Sequence, residues 1–181
     1  MIQLSSLMWA LALFFAIIGF MRGWNREIGA TAGIFLGMFA LFQLDSLLRT
    51  IMIWLGIIQR DQMFLIQASI FLAIVFFAYQ NRVLVGGGRR REGTRDNLQS
   101  NLLGSMMGFV NGYLVGGSLW YFLDINEYPL APLVLAPTAG SPSDQARDIL
   151  PMVLLSGGVN GSGDFLAVAA IVLILVVFVM L

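Results

Sequence analysis

The chain has 181 residues, 59% of them hydrophobic, and its ten basic residues balance its ten acidic ones. Soluble domains are about 45–50% apolar, so this composition predicts one integral membrane domain. Every basic residue is arginine, and the chain has neither histidine nor cysteine. These absences exclude Schiff-base lysines, Ser-His-Asp and Cys-His nucleophile pairs, and metal centres of histidine and cysteine.

Apolar runs of membrane-spanning length follow one another along the chain. The first run lacks a basic start and a small-residue cleavage site, so we expect an uncleaved helix rather than a signal peptide. Three further runs are also long enough for a crossing. The predicted fold is an all-α integral membrane protein with four core transmembrane helices, at 4–21, 28–44, 63–79 and 100–123.

Three other segments complete the predicted architecture. Residues 45–62 place apolar side chains at helical spacing among charged ones, which predicts an amphipathic helix at the membrane interface. Residues 124–164 hold all five prolines and form an extracytoplasmic connection, which rests on the interface, re-enters the bilayer in part or docks on a partner. The glycine-free run 165–181 predicts a fifth, C-terminal transmembrane helix at the periphery.

Arginine is concentrated on one side of the predicted bundle. The connections after the first and third crossings share a side, and together they hold seven of the ten arginines. Because short cytoplasmic loops are enriched in basic residues, we expect this side to be cytoplasmic and the N-terminus extracytoplasmic. The connection after the third crossing contains Arg89, Arg90, Arg91 and Arg95. These arginines either attract anionic lipid headgroups or only set the topology.

Glycines recur every four residues in two of the predicted crossings. We call the set Gly29, Gly33 and Gly37 the first comb. We call the set Gly104, Gly108, Gly112 and Gly116 the second comb. This spacing places each comb along one stripe of a helix, where small residues allow helices to approach closely in a bilayer. Either the combs pack helix two against helix four within one monomer, or one comb faces another copy of the chain around a pore. Asn101 and Asn111 lie near the second comb as intramembrane polar contacts or pore-lining groups.

A polar turn separates the first two crossings and contains Arg22, Gly23, Arg26 and Glu27. We expect Glu27 at the membrane boundary, paired with Arg22 or Arg26, where a negative charge also suits the start of helix two. The alternative is an ordinary basic loop that only sets orientation.

This turn and the glycine spacing resemble the colicin V production (CvpA-like) family. The likeness covers residues 1–123: R-G-x-x-R-E after the first helix, G-x-x-x-G on the second and L-G-x-x-x-G-x-x-x-G at the start of the fourth. The matching residues are Arg22, Gly23, Arg26, Glu27, Gly29, Gly33, Leu103, Gly104, Gly108 and Gly112. The resemblance implies a small protein of the bacterial inner membrane to which no chemical activity is firmly assigned.

These features predict a protein that acts through helix packing rather than catalysis. The expected function is that of a non-enzymatic accessory or scaffold subunit of an inner-membrane assembly, such as an envelope, export or energy-transducing complex. We expect no cofactor, no metal and no nucleic-acid partner, and contacts with the lipid bilayer and with other membrane subunits or copies of the chain. The alternative is a homo-oligomeric channel or transporter component with the fourth helix near the pore.

Overall fold

The chain folds into helices in a computed structural model that describes residues 3–56, 60–80, 94–158 and 161–180. These ranges contain no strand. The helices are α1 (Leu4–Arg22), α2 (Trp24–Trp54), α3 (Arg60–Gln80), α4 (Thr94–Ile125), α5 (Pro142–Gln145), α6 (Pro151–Ser156) and α7 (Asp164–Met180), with a turn of 3₁₀-helix at Ala146–Ile149.

Four of the helices are long and apolar enough to cross a membrane, namely Leu4–Arg22, Trp24–Trp54, Asp61–Gln80 and Asn97–Ile125. Their number and order match the four predicted core crossings, as in a multi-pass membrane protein. We call the end of the bundle at which α1 joins α2 the turn end. The opposite end, at which α4 finishes, is the capped end.

The predicted interfacial helix at 45–62 is not a separate element. α2 runs through 31 residues without interruption, which gives it a length of about 46 Å. Residues 45–54 therefore continue α2, and α3 begins at Arg60. The charged residues that favoured an interfacial helix have partners on the bundle: Asp45 pairs with Arg49 at 2.9 Å and accepts a hydrogen bond from Gln67 of α3 at 2.7 Å.

The proline-bearing connection covers the capped end of the bundle. Leu150 and Met152 are fully buried, and the Pro151 ring packs so closely on α4 that a Cβ at Gly117 would lie 2.7 Å from its Cγ. The hydroxyl oxygens of Ser143 and of Ser5 at the start of α1 are 3.1 Å apart. This connection therefore packs on the chain's own helices, a position that was not among the three expected for it.

The C-terminal helix α7 packs against α2 and turns most of its surface outward. Leu166 and Ala170 are buried, whereas Ile171, Val172 and Leu175 are at least half exposed. Its 17 residues reach only about 25 Å, which is shorter than the roughly 30 Å hydrocarbon core of a bilayer.

The second comb packs α4 against α1. A Cβ at Gly104 would lie 2.8 Å from the Cα of Gly23, and one at Gly112 would lie 2.7 Å from the Cα of Ala12. Gly108 faces the Phe15 carbonyl oxygen in the same interface. The α1 and α4 backbones are therefore in direct contact, which the missing side chains of the second comb allow.

The first comb faces a different neighbour. A Cβ at Gly33 would lie 2.5 Å from the Cβ of Ala78, and one at Gly37 would lie 3.0 Å from Ile74 Cγ2, both on α3. Gly29 is also buried. The two combs thus do not face each other, which corrects the expected pairing of α2 with α4 through them. The reason is that α1 has glycines of its own, Gly19 and Gly23, that complement the second comb.

Candidate functional site

Gly23 makes the tight turn that builds the site. Its backbone has φ +79° and ψ 166°, a conformation that residues with a side chain rarely adopt, and its N–H donates to the Gly19 carbonyl at 2.9 Å. Because this single residue separates α1 from α2, Arg22 at the end of one helix and Glu27 in the first turn of the next face each other.

Glu27 is a fully buried carboxylate. Its Oε1 accepts a hydrogen bond from Arg22 Nη1 at 2.7 Å. Its Oε2 accepts hydrogen bonds from the Tyr79 hydroxyl at 3.0 Å and from Asn111 Nδ2 at 2.9 Å. A buried charge is tolerated only when it is paired and hydrogen-bonded, and both oxygens of this carboxylate meet that condition.

Arg22 connects the pair to the end of α3. Its Nη2 donates to the backbone carbonyl of Tyr79 at 2.9 Å, and its guanidinium carbon lies 4.4 Å from the centroid of the Tyr79 ring. The guanidinium therefore combines an ion pair, a hydrogen bond and a cation–π contact, which suits its planar shape.

Asn111 brings α4 into the same network. Besides its contact with the Glu27 carboxylate, its Oδ1 accepts a hydrogen bond from Thr31 Oγ1 at 2.7 Å. The Thr31 hydroxyl also lies 2.8 Å from the Glu27 backbone carbonyl. We call Arg22, Glu27, Thr31, Tyr79 and Asn111 the Glu27 cluster. It joins all four long helices through one buried carboxylate.

A second polar group lies at the capped end and consists of Asp45, Arg49, Gln67 and Asn126, which we call the Asp45 cluster. Gln67 Nε2 donates to Asp45 Oδ1 at 2.7 Å, and Asn126 Nδ2 donates to Gln67 Oε1 at 2.7 Å. The Arg49 guanidinium completes it, with Nε 2.9 Å from Asp45 Oδ2. Along α2, Glu27 and Asp45 are about 27 Å apart, a separation comparable to the roughly 30 Å thickness of a hydrocarbon core.

The helices are packed with apolar side chains between the two clusters. Ile34, Met38 and Phe71 are fully buried, and Phe71 meets Phe122 edge to face with ring centroids 5.6 Å apart. In the described part of the chain, Ser118 Oγ is the buried side-chain polar atom that has no hydrogen-bond partner. Buried apolar side chains therefore fill the interior between the two clusters.

The structure places the other predicted site residues in different surroundings. Arg26 is exposed. Asn101 lies beside the Gly23 turn, where a Cβ on that glycine would be 3.8 Å from Asn101 Oδ1. Arg95 belongs to α4, but its side chain and the residues Arg89, Arg90 and Arg91 lie outside the described residues.

Sequence reasoning missed Thr31 and Tyr79 in the Glu27 cluster and Asn126 in the Asp45 cluster. Thr31 lies four residues after Glu27, and this spacing places the two side chains on the same helix face, so it could have identified Thr31 as a neighbour of Glu27. The other two gave weaker signals, because Tyr79 and Asn126 stand at the ends of apolar runs, where polar residues are common.

Comparison with known proteins gives no further identification, because no family model, no curated protein and no solved structure matches the chain.

Proposed function

We propose that this chain is a non-enzymatic scaffold subunit of an assembly in a bacterial inner membrane, and that it is related to the CvpA-like family. The observation that carries the proposal is the length of α2, which continues for nine residues beyond Asp45, or about 14 Å. This projection carries large apolar side chains outward on the far side of the helix from the Asp45 cluster. It offers a partner a ready contact surface at the capped end.

Four of the large apolar side chains exposed near the end of α2 share one stripe, whereas Ile53 is exposed on another side of the helix. Leu44, Leu47, Ile51 and Trp54 are all exposed, and Trp54 retains 84% of its accessible surface. Their spacing of three, four and three residues places them on one helix face, the pattern by which amphipathic helices dock in grooves of partner proteins. We call these four residues the apolar stripe of α2.

The rest of the chain is suited to hold the apolar stripe in a fixed position. Backbone contacts between α1 and α4, together with the Glu27 cluster, hold the four long helices in one arrangement. With the arginine-rich connections in the cytoplasm, the turn end faces inward and the apolar stripe faces the extracytoplasmic side. In this arrangement α7 serves as a fifth crossing that is peripheral to the bundle.

Site-specific cross-linking in native membranes tests the proposal. A photoreactive amino acid at Trp54 is expected to capture a different membrane protein in a discrete adduct. The same amino acid at Phe77, an exposed residue of α3, serves as the control and is expected to label lipid. Recovery of this chain alone after mild-detergent purification, with no discrete adduct from Trp54, would contradict a scaffold role.

A homo-oligomeric channel built around α4 is less well supported. The second comb faces α1 within the chain, and fully buried apolar side chains occupy the interior. Cross-linked oligomers together with ion or solute flux in liposomes would favour the channel over the scaffold.

A further inference from the structure

A cavity of about 350 Å³ lies at the capped end between α2, α3 and α4. Its volume is within the roughly 300–1,000 Å³ typical of small-molecule sites. The lining combines a carboxylate, a buried amide, aromatic rings and aliphatic side chains, contributed by Leu41, Phe42, Asp45, Gln67, Tyr121 and Met152. No part of the proposed scaffold role uses this cavity.

The polar side of the cavity is held in place by the Asp45 cluster. Gln67 is almost fully buried and donates to Asp45 Oδ1 at 2.7 Å, while its own carbonyl oxygen accepts from Asn126 at 2.7 Å. The Asp45 side chain is 34% exposed, so a bound molecule can reach its carboxylate. The carboxylate is therefore oriented from inside the protein and accessible from outside.

The carboxylate of Asp45 and the guanidinium of Arg49 place opposite charges next to each other. Arg49 does not line the cavity itself, but its Nε lies 2.9 Å from Oδ2 of the lining residue Asp45, and its side chain is 35% exposed. An exposed ion pair of this kind fits a ligand that carries both charges a few bonds apart. The carboxylate suits a primary ammonium, and the guanidinium suits a phosphate.

The position of the cavity identifies where such a ligand comes from. Asp45 is about 27 Å along α2 from Glu27, which places the cavity near the headgroup level of a bilayer whose hydrocarbon core is roughly 30 Å thick. Leu41 and Phe42 of the lining lie one turn nearer the middle of the membrane than Asp45. A lipid in the adjoining leaflet can thus present its headgroup to the charges and its acyl chains to apolar side chains.

We propose that this cavity binds the headgroup of an aminophospholipid of the phosphatidylethanolamine class. Its ammonium donates hydrogen bonds to Asp45 and lies among the rings of Phe42 and Tyr121, and its phosphate accepts hydrogen bonds from Arg49. The rings accept a quaternary ammonium as well, so selection depends on the carboxylate. A choline headgroup has no N–H to donate to it, and phosphatidylglycerol has no ammonium, so both bind more weakly.

The test uses the full chain in nanodiscs that contain phosphatidylethanolamine, phosphatidylcholine and phosphatidylglycerol in equal amounts, followed by native mass spectrometry of the released protein. The wild-type chain is expected to retain phosphatidylethanolamine at least about tenfold over either competitor. Asp45→Asn is expected to lose this preference. Asp61→Asn, which removes a carboxylate at the same end but outside the cavity, is expected to keep it.

The measurements distinguish the possible outcomes. Equal retention of the three lipids by the wild-type chain overturns the proposal, and this comparison needs no variant to fold. A preference that persists unchanged in Asp45→Asn, with its helical content confirmed by circular dichroism, also overturns it. Selective retention that Arg49→Gln weakens supports it, and none of these results depends on whether a protein partner is bound at Trp54.

Discussion

Asn111 of α4 donates from Nδ2 to the Glu27 carboxylate of α2 at 2.9 Å, and in the bundle neither side chain is accessible to solvent. The two residues are 84 positions apart in the chain, and one hydrogen bond between them joins the start of α2 to the middle of α4. Since the same carboxylate also holds Arg22 and Tyr79, this contact is part of a network that connects every long helix.

Removing the arginine partner of Glu27 should destabilise the protein. Arg22→Gln leaves a fully buried carboxylate without its counter-ion, at an expected cost of about 3 kcal/mol. Arg26→Gln removes the same charge from the same turn at an exposed position and should cost less than about 0.5 kcal/mol. Thermal unfolding in detergent, followed by tryptophan fluorescence, measures both, and equal midpoints for the two variants would contradict a structural role of the pair.

The contact between Asn111 and Thr31 should appear as a coupling energy. In a double-mutant cycle of Asn111→Ala and Thr31→Val, we expect a coupling of about 0.6–1.7 kcal/mol, which lies between the average and the largest value found for interhelical hydrogen bonds in a membrane protein. Asn101→Ala combined with Thr31→Val is the matched control and should show additive effects, because Asn101 lies by the Gly23 turn instead. Additivity in both cycles would show that the hydrogen bond contributes nothing.

A side chain at the centre of the second comb should separate α1 from α4. Gly108→Leu places a branched side chain against the Phe15 carbonyl and the Gly19 backbone, and should cost at least about 2 kcal/mol or prevent assembly of the bundle. Val176→Leu, on the outward surface of α7, should be nearly silent. Unfolding midpoints and recovery from membranes report on both variants, and a Gly108→Leu variant as stable as the wild type would refute the close backbone packing.

Removing the buried hydroxyl of Ser118 should stabilise the bundle. Ser118→Ala eliminates a polar atom that has no hydrogen-bond partner in the described part of the chain, and the expected gain is about 1 kcal/mol. Ser5→Ala instead breaks a contact with Ser143 at the capped end and should lower the midpoint slightly. The two unfolding curves are compared under the same detergent conditions, and a Ser118→Ala midpoint below that of the wild type would contradict the prediction.

A change on the apolar stripe should affect association but not folding. Trp54 is 84% exposed, so Trp54→Ser should alter the free energy of unfolding by less than about 0.5 kcal/mol. Under the proposed function, the same variant should lose co-purifying protein. Retention of the same partners at wild-type amounts would exclude Trp54 as an anchor.

The number and approximate positions of the four long apolar helices follow from the amino-acid sequence alone. In lipid, a run of about twenty apolar residues satisfies its backbone hydrogen bonds by forming a helix. The length of the run therefore predicts a membrane-spanning helix. The same logic failed at 45–54, because Asp45 and Arg49 looked like interfacial residues and only the fold supplies their partners, Gln67 on α3 and Asn126 directly after α4. A charge next to an apolar run does not reveal whether it faces water or a neighbouring helix.

The folded bundle, and not the local sequence, shows which helices the glycines join and which residues bind the buried carboxylate. Four-residue spacing identifies the stripe of a helix that will be in contact, but every stripe of small residues fits several neighbours about equally well. The choice of α1 for the second comb depends on complementary glycines at Gly19 and Gly23, and the Glu27 cluster depends on residues from four helices. Both are long-range relationships, which local patterns in the chain do not encode.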